Sequence, residues 1–179
     1  SGTVKQSNVT ITGNTVFYAV CTINQYTLTI KPNGGKWNNK TTDSAIKQNY
    51  NTKYPASGAL PDATDGPTYS IDYDMGSTGI AKPTSPTTAS RFFTGWTKGG
   101  TGTWDSTNKV WTYGAGDGTL TANWNTTSDS FNLPTLSKTG YTCAWHQGSA
   151  TGAEKQNNVT ITGNTTFYAV CTINQYTLT

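Results

Sequence analysis

Apolar and polar positions alternate with a period of two along several short runs. Tyr-Thr-Leu-Thr-Ile (26–30), Gly-Thr-Leu-Thr-Ala-Asn-Trp (118–124), Asn-Val-Thr-Ile-Thr (158–162) and Thr-Phe-Tyr-Ala-Val (166–170) all follow it. That period predicts half-buried strands, and Thr and Tyr suit a pleated surface. Turn residues separate the runs. Thr-Gly-Asn-Thr at 12–15 and 162–165 predicts a tight hairpin, and Asn33-Gly34-Gly35 a turn that tolerates positive φ. Residues 104–113 (WDSTNKVWTY) predict a hairpin around Ser106-Thr107-Asn108. Residues 42–50 (TDSAIKQNY) fit two turns of helix, with Asp43 near the start, or a strand. Residues 55–67 and 76–90, rich in Pro, Gly, Ser and Thr, read as surface loops. The fold class is therefore mainly β, with long loops and little helix.

A second pattern lies above the first. Residues 1–29 and 151–179 agree at 24 of 29 positions, at an offset of 150. Such agreement implies recent duplication, so the chain is expected to be a window on a longer periodic protein. A weaker repeat lies inside the period: FFTGW (92–96) precedes GTLTANW (118–124), and YTCAW (141–145) precedes TTFYAVC (165–171). The expected division is module A at 25–124, with extra sequence at about 55–90, and module B at 125–174. Residues 1–24 would be the back half of a preceding module B, and 175–179 the first strand of a following module A.

Composition narrows the function classes. Of 179 residues, 37 are Thr and 16 Asn, and only 12% are charged. The net charge of +3 is too small and scattered for a nucleic-acid footprint. No apolar run approaches the ~20 residues that a membrane-spanning helix needs. No leader-like run is present either, so any secretion signal is expected outside this piece. Six Trp, ten Tyr and five Phe supply surface for a core and argue against disorder.

The motifs resemble a known family. YTLTIKPNGGKW (26–37), FFTGWTKGGTGTWDSTNKVWTYGAGDGTLTANW (92–124) and ITGNTTFYAVC (161–171) look like the internalin-type B repeat, or Listeria–Bacteroides repeat. The likeness covers most of the chain, with four departures. Module A carries the extra sequence, module B lacks the opening strand motif, Cys21 and Cys171 replace the usual closing Trp, and YTCAW (141–145) lacks the central Gly. The resemblance implies small β-grasp-like modules strung in tandem in secreted or wall-attached bacterial surface proteins.

Candidate chemistry is sparse. Cys143 and Cys171 lie 28 residues apart in strand-like segments, and Cys21 is the repeat copy of Cys171. The expected arrangement is a Cys143–Cys171 disulfide with Cys21 unpaired by truncation; thiols in a reducing compartment are the alternative. Among the tryptophans, Trp96, Trp124 and Trp145 hold motif positions and read as core. Trp37, Trp104 and Trp111 flank Gly/Asn turns, are expected to be partly exposed, and are candidates for stacking on sugar rings. Asp62, Asp65, Asp72 and Asp74 are either solvated carboxylates or oxygen ligands for calcium, the one cofactor considered. A single histidine, His146, and no recognisable pair of acids argue against catalysis. Lys155 beside Glu154 is a weak hint of an isopeptide bond.

The expected function is a structural or adhesive repeat segment of an extended bacterial surface stalk or extracellular fibre, its partners neighbouring repeats or identical chains. The alternative is a carbohydrate-binding module for a host or environmental glycan. The four-residue junction Thr22–Gln25, free of Gly and Pro, predicts a stiff link, with residues 1–24 packed on module A or on a neighbouring chain.

Overall fold

Alternation decides which face of each strand is covered. In β1 (Gln25–Lys31) Leu28 and Ile30 are buried, and in β8 (Gly118–Ser128) Leu120 and Ala122. In β4 (Thr68–Asp74) the buried pair is Ile71 and Tyr73, and in β11 (Thr165–Ile173) Phe167 and Ala169. The computed structural model describes residues 4 and 7–178. Among them are eleven strands and no helix. The others are β2 (Ser44–Asn49), β3 (Lys53–Tyr54), β5 (Thr88–Gly100), β6 (Thr103–Asp105), β7 (Val110–Thr112), β9 (Tyr141–Gln147) and β10 (Glu154–Lys155).

Eight strands form one sheet in the order β10-β9-β11-β4-β5-β8-β1-β2; β3, β7 and β6 form a second. Two trios within the large sheet share one plan. In β5-β8-β1 the middle strand runs antiparallel to β5 and parallel to β1; in β9-β11-β4 it runs antiparallel to β9 and parallel to β4. The registers correspond. Trp96 faces Ala122 and Trp145 faces Ala169. Ile30 faces Leu120 and Tyr73 faces Phe167. β4 therefore does for the second trio what β1 does for the first, so the opening strand missing from residues 125–174 lies inside the stretch 55–90.

Each trio covers its own core. Leu28, Ile30, Trp37, Leu60, Trp111, Tyr113 and Leu120 form one, closed by the three-stranded sheet. Ile71, Tyr73, Ala89, Leu133, Trp145, Val159, Ile161, Phe167 and Ala169 form the other. β5 serves both: it pairs with β4 at its start and with β8 as far as Gly100. Its register shifts twice, between Arg91 and Phe93 and between Phe93 and Gly95. Gly95 sits there at φ 138, a value that favours glycine.

Several expectations change. Residues 42–50 contain β2, a strand. The 104–113 hairpin forms as β6–β7. Residues 158–162 do not make a hairpin with β11; Val159 makes one bridge to Phe131, and β11 pairs with β9 and β4. The reason is burial: Val159 and Ile161 insert into the core beside 128–133, where Ser128 and Phe131 satisfy their backbones. Residues 55–90 are more than loop, since Leu60 and Ala63 are buried and β4 is built into the sheet. Residues 7–24 form no strand and their side chains are exposed, against the expected packing on residues 25–124; the Asn24 carbonyl does accept the Tyr50 N–H. Residues 1–3, 5 and 6 lie outside the described ones.

Candidate functional site

The β6–β7 hairpin leans over β5 and the loop 55–67, enclosing a cleft of about 330 Å³. Its tip is organised by Asp105. Asp105 Oδ1 accepts the backbone N–H groups of Thr107 and Asn108, each at 3.0 Å, and Oδ2 accepts the Asn108 amide at 2.7 Å. The Asn108 side chain, then these backbone donors, hold the Asp105 carboxyl below the usual carboxylate range. Lys109 follows at φ 53 and its Nζ reaches Asp62 at 2.7 Å, tying the hairpin to the loop.

Phe93, Trp96 and Trp104 give the cleft aromatic walls, and Asp62, Ser106 and Lys109 a polar rim. Phe93 packs edge-on against Trp96, with centroids 5.3 Å apart, and against Trp124 at 5.7 Å. Trp96 is half-buried and its Nε1–H is buried with no acceptor. Aromatic faces beside a few polar groups can receive a sugar ring through its C–H face and hydroxyls.

The three tryptophans proposed as ligand contacts separate here. Trp104 is half-buried and lines the cleft. Trp37 and Trp111 correct the expectation of exposure, being 4% and 0% exposed. Trp37 turns inward to donate its Nε1–H to the Pro61 carbonyl at 3.2 Å. Trp111 lies under Gly102 and Gly118, whose missing side chains admit the ring. Of the three expected in the core, only Trp145 is fully buried; Trp96 and Trp124 are half-buried.

The four aspartates are not brought together. Asp62 pairs with Lys109, Asp65 with Lys36 at 2.8 Å and Asp72 with Lys82 at 2.6 Å, while Asp74 accepts the Gly76 N–H. Lys82, then the backbone N–H of Tyr73, lowers the Asp72 pKa. Among the described residues no three His, Cys, Asp or Glu side chains gather as a metal site would require. Cys143 and Cys171 lie directly opposite each other in β9 and β11 and form a disulfide; Cys21 is an exposed free thiol.

Sequence reasoning did not single out Phe93, Trp96, Ser106 and Lys109 as cleft residues. The signal in the sequence was Gly95 between two aromatics in a strand, which marks a bulge that re-aims its neighbours. Compared with protein-family models, curated proteins and solved structures, the chain matches none.

Proposed function

We propose that this chain is a structural, adhesive repeat segment of an extended bacterial cell-surface stalk or extracellular fibre. The observation that carries the reading is the recurrence of residues 1–29 at 151–179, 24 of 29 positions unchanged. Near-identity of 29 residues at a spacing of 150 is what an array of repeated building units would give. The shared strand plan of the two trios supports it, because small β units are then the recurring element. The disulfide between β9 and β11 favours an oxidising, extracellular setting. No helix among the described residues is long and apolar enough to cross a membrane. The resemblance to internalin-type B repeats agrees with a bacterial surface, with neighbouring repeats or identical chains as partners. Electron microscopy of the native protein tests this: thin, extended stalks or fibres are expected, and isolated globular particles would refute it.

The cleft favours a second reading, a carbohydrate-binding module. Trp104 and Trp96 would stack on the ring, with the Asp62–Lys109 pair and Ser106 addressing hydroxyls. Screening the purified chain on a glycan array decides it. Binding that Trp104→Ala reduces by about 3-fold to 10-fold or more supports the cleft, since one aromatic stacking contact contributes about 0.5–1.5 kcal/mol. A signal unchanged by Trp104→Ala excludes it.

A further inference from the structure

Residues Asn8–Ile23 and Asn158–Ile173 are one sequence, apart from Val16 in place of Thr166. They also share a local conformation. Asn8 and Asn158 both have φ 53, and the Thr15 and Thr165 hydroxyls donate to the Gly13 and Gly163 carbonyls, each at 2.9 Å. Their surroundings are opposite. Val159, Ile161 and Phe167 are 3%, 1% and 0% exposed, whereas Val9, Ile11 and Phe17 are 38%, 57% and 58% exposed. The later copy thus shows what the earlier one fits: a seat between β9 and β4, lined by Ile71, Tyr73, Leu133 and Trp145.

We propose that Asn8–Ile23 is a strand donor that seats between β9 and β4 of a second copy of this chain, in place of that copy's own Asn158–Ile173. The seat of its own chain is out of reach. β11 and β1 are separated in the sheet by β4, β5 and β8, which is four strand spacings, or about 19 Å. Only Asn24 stands between Ile23 and Gln25, and two Cα steps span about 7 Å. The junction has no slack, because the Asn24 carbonyl accepts the Tyr50 N–H at 2.8 Å.

The cysteines follow the strand. Cys171 stands opposite Cys143, so a seated Cys21 takes the same place. The Cys21 thiolate attacks Cys143 Sγ, the Cys143–Cys171 bond breaks, and Cys171 leaves as a thiolate that takes up the proton Cys21 gave away. One disulfide and one thiol stand on each side, and no oxidant is needed. The incoming and displaced strands differ at one residue, so the seat holds either about equally well and concentration sets the balance. A chain's own segment competes at an effective concentration in the ~mM range, so closed monomers prevail in dilute solution. Donor and seat are different surfaces, so the contact is heterologous and runs head to tail. This goes beyond the array reading, which joins units within one polypeptide, and its failure leaves that reading standing.

The test mixes 15N-labelled and unlabelled full chain, unfolds it in urea, and refolds it at about 10 µM, far below the expected effective concentration, and at about 1 mM, close to it. Free thiols are then alkylated, and products are read by light scattering, non-reducing gels and peptide mapping. The share of chains in oligomers should rise at least ~10-fold between the two concentrations. The oligomers should contain a mixed-isotope Cys21–Cys143 peptide and alkylated Cys171. Phe17→Asp changes a side chain exposed in the monomer, so it should leave the monomer's melting temperature unchanged and abolish the oligomers. Cys21→Ser leaves Cys171 tied to Cys143, so it should stay monomeric while that bond is closed and form concentration-dependent, non-covalent oligomers once a thiol reductant opens it. Monomers at both concentrations, covalent dimers mapping to Cys21–Cys21, or oligomers that survive Phe17→Asp would each overturn the proposal.

Discussion

Trp124 is gripped by two glycines. A Cβ on Gly35 would meet the indole at 2.2 Å, and one on Gly66 would meet it at 2.6 Å. The ring's N–H is shared between the carbonyls of Pro32 and Asn33, at 3.2 and 2.9 Å. Gly35→Ala should therefore cost about 1–3 kcal/mol, as overpacking does, and lower the urea midpoint. Gly163→Ala is the control: nothing lies within 4 Å of its Cβ, and the change should stay within about 0.5 kcal/mol. An equal effect at both sites would sink the idea of a clamp. The sequence showed Asn33-Gly34-Gly35 as a turn, but not why the third residue is glycine, because the ring it admits comes from β8. Trp37 and Trp111 misled for a related reason. Their turn-like neighbours suggested exposure, yet the Trp111 ring is admitted by Gly102 and Gly118 from elsewhere in the chain, and Trp37 turns inward to the Pro61 carbonyl. Two buried tyrosines give a pH test. Burial pushes Tyr73 and Tyr113 up to about 12, and each hydroxyl donates to a carbonyl at 2.8 Å, of Pro86 and Ile46. Both stay protonated in the folded chain at a pH where the unfolded chain, near 10, has lost these protons. The folded state then binds more protons, so stability is full below pH ~10 and falls as pH rises toward ~12. The loss is on the order of 2 kcal/mol per tyrosine. Urea titrations across that window should show a shallower decline in Tyr73→Phe and Tyr113→Phe; an unchanged decline would count against this origin.

The two trios close in different ways. At corresponding positions, two residues after the alanine that faces a tryptophan, β8 carries Trp124 and β11 carries Cys171. In one trio an indole is held by glycines and carbonyls; in the other a disulfide fixes the same strand pair. The second therefore depends on redox state and the first does not. Reduction should destabilise the β9–β11–β4 trio by about 3.6 kcal/mol, the amount expected for a closed loop of this length. Amide exchange should report it: Phe167–Cys171 and Cys143–Trp145 lose protection on reduction, while Leu28–Ile30 and Leu120–Ala122 keep theirs. Equal loss in both trios would show that they unfold as one unit. Of these elements, β1, β6–β9 and β11 were legible, because alternation or turn residues marked them. β4 was not. Its Tyr-Ser-Ile-Asp-Tyr-Asp pattern alternates, but it sits amid Pro, Gly and Ser, and its parallel partner lies far along the chain. Residues 158–162 alternate equally well and form only a bridge, since periodicity reports a buried face but not a hydrogen-bonded neighbour. The cleft was half legible: Trp104 came from its place beside a turn, while Phe93 and Trp96 needed the bulge at Gly95.

At the scale of the molecule, one asparagine occurs at the same phase of two successive repeats, and each copy is tied on a different side. Asn174 donates its N–H to the Gly140 carbonyl at 2.8 Å, and its side chain accepts the Thr142 hydroxyl at 2.7 Å. Both ties lead back into the β9–β11 pair. Asn24, its repeat copy, offers its carbonyl to the Tyr50 N–H at 2.8 Å, which leads forward to the end of β2. Within an array each such asparagine would make both sets of bonds, its N–H to the unit before and its carbonyl to the unit after. The residues that follow agree. Tyr176 and Leu178 are exposed here, while Leu28, the copy of Leu178, is completely buried in β1. A following unit would therefore cover them. A junction bonded from both sides, one residue long and free of glycine, has little freedom to swing. Chains of two, three and four periods should thus grow in maximum dimension linearly with period number in small-angle scattering. A flexible tether would give growth closer to the square root. Asn→Pro at every junction deletes the N–H that ties it to the preceding unit and should bend the growth toward the flexible limit. Linear growth in that variant, or square-root growth in the unmodified array, would show that stiffness does not reside at this asparagine.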